Sequence, residues 1–265
     1  MSARLEIFAL ENIPLVEPDD SLIKIIIDGL KATGLKLQSH DVVVIAQKIV
    51  SKSEGRYRNL ADVIVSTQAQ ELAKKVHKDP RLVELILAES QQVIRAKPGV
   101  LIVQHKLGLI HANAGIDHSN ISNGYSNDAD YEADTRVLLL PQNPDQSAEN
   151  IRIRLQTELG VDVGVVINDS VGRAWRKGTM GLAIGVAGIE PLQDLCGESD
   201  LFNQQLQATE LGYADELAAA ASLLMGQVAE AQPIVIIRGA TLGKLERRAD
   251  GAGVLLREEE RDLFR

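Results

Sequence analysis

The sequence predicts a mixed α/β fold of the α+β kind. Three observations lead there. Three short β-branched runs, at residues 42–45, 163–167 and 234–237, have the length and composition of buried strands. Between them lie segments with apolar residues at helical spacing, bounded by start and stop signals. The two kinds of element alternate without a strict βαβ rhythm, and no internal repeat, heptad or low-complexity linker interrupts them.

Taken in order, Ile13, Pro14, Leu15 and Val16 read as a short apolar turn leading to a helix. Asp19, Asp20 and Ser21 suit that helix's start, Leu22, Ile25, Ile26 and Leu30 its apolar stripe, and Gly34 its end. The strand at 42–45 leads into Gln47, Lys48 and a polar segment reaching Arg56. Residues 65–77 and 80–90 read as helices, with Pro80 at an early helical position. Residues 100–103 and 109–112 read as paired strands around Gly108, and 121–136 as a polar loop. Residues 147–159 read as a helix stopped by Gly160. The strand at 163–167 is read as ending before Asn168, so that Asp169 and Ser170 stand at a strand end. A turn with Gly172, Arg173, Arg176, Lys177 and Gly178 follows. The Ala- and Leu-rich residues 214–229 read as a helix, 234–237 as a strand, and 257–265 as a surface helix or a frayed end.

Composition narrows the function. The chain has 265 residues, 45% hydrophobic but only 3% aromatic, so its core is built from Ile, Leu, Val and Ala. Its net charge of -9 argues against a general nucleic-acid or anionic-membrane binder, because both need a positive field. No run approaches the ~18 apolar residues that span a bilayer, and no secretory signal is visible. The single cysteine, Cys196, is read as a packed side chain in a cytoplasmic protein: no base adjoins it and no cluster exists to hold zinc. Neither G-x-x-x-x-G-K-[ST] nor G-x-G-x-x-G occurs.

Four segments carry candidate chemistry. Asp169 and Ser170 offer hard oxygen ligands, and Arg173 and Arg176 offer guanidinium forks for phosphate or carboxylate oxygens. The alternative there is a strand followed by a solvated basic turn. Lys48 and Lys52 suit a polyphosphate; exposed lysines are the alternative. In the run from His111 to Asn120, small residues permit close backbone approach, Asp117 is a carboxylate available to a cation, and Asn120 both donates and accepts. His111 and His118 lack the partners for a tetrahedral zinc site. In Met225, Gly226, Gln227, Val228, Ala229 and Glu230, the Gln227 carbonyl suits a hard cation; an ordinary helix end is the alternative. The carboxylates at Asp128, Asp130, Glu132 and Asp134 lack the glycine and terminal glutamate of an EF-hand and read as a solvated loop.

Taken in order, these segments resemble the coenzyme F420-0:L-glutamate ligase family from about Leu5 to Gly239. The matching residues are Ile13-Pro14-Leu15-Val16, Lys52-Ser53-Glu54-Gly55-Arg56, Ala112-Asn113-Ala114-Gly115-Ile116-Asp117 and the run from Asn168 to Gly178. Gly185-Val186-Ala187-Gly188-Ile189, Ala214-Asp215-Glu216-Leu217-Ala218-Ala219-Ala220-Ala221 and Met225-Gly226-Gln227 complete them. The resemblance implies a mixed α/β ligase fold of two intimately associated lobes over residues 1–245. Residues 246–265 are then a charged C-terminal extension, with no fused reductase domain expected. It also implies a homodimer, GTP as co-substrate, two divalent cations (Mg2+ or Mn2+), and potassium.

The implied activity joins L-glutamate to F420-0 and then to F420-1 through an acyl phosphate. Asp117, Asp169, Ser170 and Gln227 would bind metal. Ile13, Pro14, Leu15, Val16, Gln47, Lys48, Lys52, Asn120 and residues 225–230 would bind GTP, and Arg173 and Arg176 would be catalytic. Two other readings are an amide ligase acting on another phosphorylated carboxylate or variant deazaflavin, and a catalytically silent nucleotide-binding relative.

Overall fold

The computed structural model describes residues 4–118, 121, 136–240 and 251–262. Its elements in chain order begin with β1 (Glu6–Ala9), α1 (Leu22–Thr33), β2 (Val42–Ala46), α2 (Gln47–Ser53), β3 (Tyr57–Asn59), α3 (Thr67–Val76) and α4 (Pro80–Ala88). They continue with β4 (Ser90–Lys97), β5 (Val100–His105), β6 (Ile110–Ala112), β7 (Arg136–Leu138) and α5 (Pro144–Leu159). The last are β8 (Gly164–Gly172), β9 (Thr179–Ala187), β10 (Gln193–Asp194), β11 (Glu210–Leu211), α6 (Tyr213–Met225) and β12 (Ile234–Arg238). They form two compact units. One draws on the chain up to Val16, Asp20–Val50 and Asn143–Arg257, the other on Glu17–Asp19, Ser51–Gln142 and residues from Glu258.

The first unit is built on a five-stranded sheet in the order β1-β12-β2-β8-β9. Only β2 and β8 run parallel; the other pairs are antiparallel. Helix α6 packs on the face carrying Val42, Val44, Val166, Val235 and Ile237. The alternate residues Val43, Ile45, Val165, Ile167 and Ile236 are equally buried. Covered on both faces, these strands read as continuous apolar runs instead of alternating ones. Each buried Val or Ile contributes roughly 1.5–3 kcal/mol relative to exposure. The bidentate pair between Arg238 and Asp41, at 2.7–2.8 Å, ties β12 to the start of β2.

Ser21 caps α1 by accepting from the Lys24 N–H, and Gly34 ends it in the left-handed conformation, as expected. Helix α5 starts earlier than its apolar spacing suggests. Pro144 is its first residue, and Asn143 caps it by accepting from Gln146. Asp145 in its first turn accepts the N–H groups of both Val186 and Ala252 at 2.8 Å, and Ala252 joins the core.

In the second unit, β4, β5 and β6 form an antiparallel sheet, and β3 pairs antiparallel with β7. Helices α3 and α4 supply Ala69, Ala73, Val76, Leu82, Val83 and Ile86 to a core shared with Leu101, Val103, Ala114 and Val137. Arg56 donates to the Leu140 carbonyl at 2.9 Å and to Glu89 at 3.0 Å.

Two expectations are corrected. The strand read as ending at Ile167 runs on to Gly172, because β9 continues to pair with it. The Ala-rich helix stops at Met225 instead of Ala229, because Gly226 turns the chain at φ 68, ψ -170. Among the described residues of the charged C-terminal segment, Glu259–Arg261 form a short 3₁₀ turn. Most of the polar loop at 121–136, its acidic residues included, lies outside the described residues.

Candidate functional site

In the first unit the ladder between β2 and β8 ends at the pair Ala46–Asn168, while the ladder between β8 and β9 runs on to Gly172–Thr179. Asp169 and Ser170 therefore stand on a two-stranded arm, just past the point where the sheet loses a neighbour. That makes them a strand end with respect to β2 only. Strand alternation sends their side chains to opposite faces. Asn168 and Ser170 share the face that meets the C-terminal end of α6. There Asn168 Nδ2 donates to Ser222 Oγ at 3.0 Å and faces Met225 Sδ at 3.3 Å.

Past the end of α6, Gln227 Nε2 donates to Ser170 Oγ at 2.9 Å. The Ser170 N–H donates to Asp169 Oδ1 at 2.8 Å. Three of the four expected metal ligands, Asp169, Ser170 and Gln227, are thus joined in one line of hydrogen bonds. The bond to Ser170 uses the nitrogen of Gln227 and leaves its carbonyl Oε1, the atom a hard cation takes, uncommitted by that bond. Close approach of helix to strand requires Gly181: a Cβ there would meet the Ala218 carbonyl and Ser222 Oγ.

The segment beyond Gln227 curls on itself. The Glu230 carboxylate accepts the Val228 N–H at 2.8 Å. That bond and those from neighbouring loop amides hold its carboxyl below the ordinary glutamate range. Successive amides wrapped around a carboxylate form an anion-binding concavity. The hairpin loop at 173–178 is exposed throughout. Arg173 donates to the Gly178 carbonyl at 3.2 Å, and Trp175 is 86% exposed at φ 64.

At this same end of the parallel ladder, β2 passes directly into α2, whose residues the sequence reads only as a polar segment. Gln47 is 4% exposed and Lys48 half-buried. Before α1, Ile13 is half-buried, Pro14 and Leu15 are exposed and Val16 is buried. They form no turn against the helix, which starts only at Leu22. In the second unit Lys52 is 8% exposed, so the solvated-lysine alternative fails for it.

Asp117, also in the second unit, is fixed by its backbone. Its N–H donates to the Leu138 carbonyl at 2.9 Å, and its carbonyl accepts from the Leu138 N–H at 3.0 Å. The turn before it holds Asn113, Ala114 and Gly115 in succession at φ 53, 55 and 66. Asn120 lies outside the described residues. Cys196 is exposed instead of packed. A hydrogen bond to Asp194 pushes its thiol up, which keeps it protonated and unsuited to nucleophilic work.

Among the described residues no group of three or more His, Cys, Asp or Glu side chains converges as a metal cage. A set made of carboxylate, hydroxyl and amide oxygens suits Mg2+ or Mn2+ bound together with substrate phosphates, where the protein supplies only one or two carboxylates. The residues present fit that kind of ion.

The family model described as F420-0:Gamma-glutamyl ligase matches residues 11–239. The chain belongs to this family. It is accordingly a ligase. Relatives of the F420-0:gamma-glutamyl ligase family align along nearly its whole length. The "Coenzyme F420:L-glutamate ligase" of Methanothermobacter thermautotrophicus is 42% identical over 261 residues, covering 98% of this chain and 99% of that protein. The protein of the same name from Methanococcus maripaludis is 42% identical over 265 residues, 99% of this chain and 98% of its own. The one from Methanocaldococcus jannaschii is 43% identical over 230 residues, 86% of each. No helix among the described residues of this family member is long and apolar enough to cross a membrane.

Sequence reasoning missed Asn168 and Asp215 as residues that shape the arm. Asn168 was legible only as the residue beside Asp169, and Asp215 only as an acidic residue in a helix's first turn.

Proposed function

We propose that the chain joins L-glutamate to the carboxylate of coenzyme F420-0 at the expense of GTP, and then adds a second glutamate through a γ-link. A carboxylate oxygen cannot leave as such when an amine attacks. In the proposed reaction the F420-0 carboxylate takes the γ-phosphoryl group of GTP, releasing GDP and forming an acyl phosphate. The glutamate amine then attacks the carbonyl carbon, phosphate departs, and the amine loses its proton.

Phosphoryl transfer depends mainly on positioning and charge neutralisation. Asp169, Ser170, Gln227 and Asp117 would hold the divalent cations. Because Asp169 and Ser170 point to opposite faces of β8, they suit two ions better than one. When bound, such cations neutralise the negative charge that builds on the phosphoryl oxygens.

Arg173 and Arg176 sit on the exposed hairpin loop, able to reach a substrate carboxylate or phosphate with planar forks. Lys52, with Lys48 and Gln47 on the same helix, would neutralise the nucleotide phosphates. The amides of residues 227–230 suit an anionic group, and residues 13–16, Asn120, Met225 and Gly226 would contact the rest of GTP. The reading includes a homodimer in the cytoplasm, with potassium assisting.

The observation that most supports this reading is the Asp169–Ser170–Gln227 line of oxygen ligands, in a chain 42% identical to named ligases. The test is mass spectrometry of F420-0 incubated with the protein, GTP, Mn2+ and L-glutamate. A glutamyl increment on the deazaflavin with stoichiometric free phosphate is expected. GTP hydrolysis with an unchanged deazaflavin would move the activity to another phosphorylated carboxylate or a variant deazaflavin. Absence of both would leave a silent nucleotide-binding relative.

A further inference from the structure

The ladder between β8 and β9 is not uniform. It pairs Val165 with Ala187 and Ile167 with Gly185, then resumes at Asn168 with Ala183. Ile184 has no opposite number, so β9 carries a one-residue bulge. The bulge falls at the corner where the β2 ladder ends and the arm bearing Asp169 and Ser170 begins. A bulge bends its strand and increases the local twist, so it aims whatever lies beyond it.

Beside this bulge stands a half-buried carboxylate that the proposed chemistry does not use. Asp215, in the first turn of α6, accepts the Ala183 N–H on Oδ1 at 2.9 Å. Among the described residues no cationic side chain pairs with it. Burial holds its carboxyl above the ordinary aspartate range, with only the Ala183 bond opposing. Removing a carboxylate from water for a single amide bond is costly, and a charge-assisted bond is about twice as strong as a neutral one.

The contacts of α6 with the arm lie on one stripe. Asp215 meets Ala183, the Ala218 carbonyl lies where a side chain at Gly181 would be, and Ser222 meets Asn168. These positions are spaced three and four apart, hence on one helix face. Gly181 is the cross-strand partner of Ser170, and Ala183 that of Asn168. Where the helix ends, Gln227 reaches Ser170.

We propose that Asp215 is a positioning residue: by holding the Ala183 amide it fixes the bulge on β9, and through it the placement of Asp169 and Ser170 as metal ligands. The proposal rests on the metal reading given above.

The test is Mn2+ titration of the full chain, followed by loss of the free-ion electron paramagnetic resonance signal, with the Mn2+ and glutamate requirements of turnover measured in parallel. Asp215→Ala should weaken Mn2+ binding about tenfold, the lower end of what outer-shell partners of metal ligands contribute. Asp215→Asn keeps a carbonyl acceptor for the Ala183 amide and should bind Mn2+ within about twofold of the unmodified protein. The KM for glutamate should stay unchanged in both.

Asp169→Asn is the reference. If it abolishes Mn2+ binding while Asp215→Ala binds normally, the positioning role is wrong and the metal reading stands. If Asp169→Asn itself leaves Mn2+ binding untouched, the metal reading fails and takes the positioning role with it. Asp215→Asn as impaired as Asp215→Ala would also overturn the proposal. Should Asp215→Ala fail to fold, Asp215→Glu displaces the acceptor by one methylene. A several-fold loss of Mn2+ affinity is then expected, and none would overturn the proposal.

Discussion

Asp169 and Asp117 are presented by opposite means. Asp169 lies on a regular strand whose neighbours are held by side-chain hydrogen bonds: Asp215 to Ala183, Asn168 to Ser222, Gln227 to Ser170. Asp117 follows a turn in which three successive residues adopt left-handed φ values, two of them not glycine. A left-handed residue with a Cβ costs roughly 1–2 kcal/mol, so Asn113 and Ala114 persist only because their surroundings over-determine them. Those surroundings are apolar. Ala114 is fully buried, and Gly115 sits against Leu140. A strand arm braced by polar bonds should answer to which atoms are present. A strained turn braced by packing should answer to volume.

The comparison breaks first if only one carboxylate matters. Asp169→Asn and Asp117→Asn should each lower turnover by more than about a hundredfold, several kcal/mol of transition-state charge stabilisation. Steady-state kinetics at saturating GTP checks this, and normal turnover in either variant would leave that region without a catalytic part.

The second test is acid. His111 lies on β6 just before the strained turn, and burial, then the neighbouring His105, holds its imidazole down to about 4 from 6.5. The unfolded chain therefore binds the proton more readily than the folded one. Stability should be level above about pH 6.5 and fall as pH drops towards 4, by on the order of 3 kcal/mol. Hydrogen exchange should show the second unit opening first. A His111→Gln variant with an equally steep acid limb would reject the assignment.

A smaller effect separates the two glycines. Gly115→Ala should cost about 2 kcal/mol, since its φ is +66 and a Cβ would press on Leu140 at 2.9 Å. Gly172→Ala on the arm meets nothing within 4 Å and should shift the melting temperature little. The reverse order in thermal melts would invert the contrast.

Smallest is Arg173→Lys, which keeps the charge and loses the fork. Turnover should fall about tenfold with Mn2+ binding retained, as measured by kcat beside the metal titration. An unchanged kcat would return the hairpin loop to a solvated basic turn.

Much of the fold was legible where local signals and tertiary packing agree. Ser21 and Gly34 bracket α1, Pro80 opens α4, and the β-branched runs mark β2 and β12. Strand β9 was not legible. Its glycines at 181 and 185 weaken a strand signal, yet each is there because α6 or Pro144 comes too close for a side chain. Strand β4 was missed because it is largely exposed and polar, leaving no apolar alternation to find.

At the site, Asp169, Ser170 and Gln227 could be selected by ligand chemistry alone. Their joining in one line could not, because it depends on where α6 stops. Propensity carried that helix on through Ala229, while the Gly226 backbone ends it at Met225. Asp215 escaped for a related reason: its partner is a backbone amide exposed by a bulge, and a bulge leaves no mark on residue identity.

The sheet order β1-β12-β2 also has a temporal meaning. Strand β12, which lies between β1 and β2, is made after every other strand of its sheet. Until residue 238 has emerged, β1 and β2 lack their common neighbour, and each exposes a row of unpaired backbone groups able to pair with other chains. The β4–β5–β6 sheet, by contrast, is complete in sequence by residue 112. Newly made chains therefore carry a hydrogen-bonded meander and a pair of waiting edges at once, and the ordering of synthesis makes β12 the strand that covers those two edges.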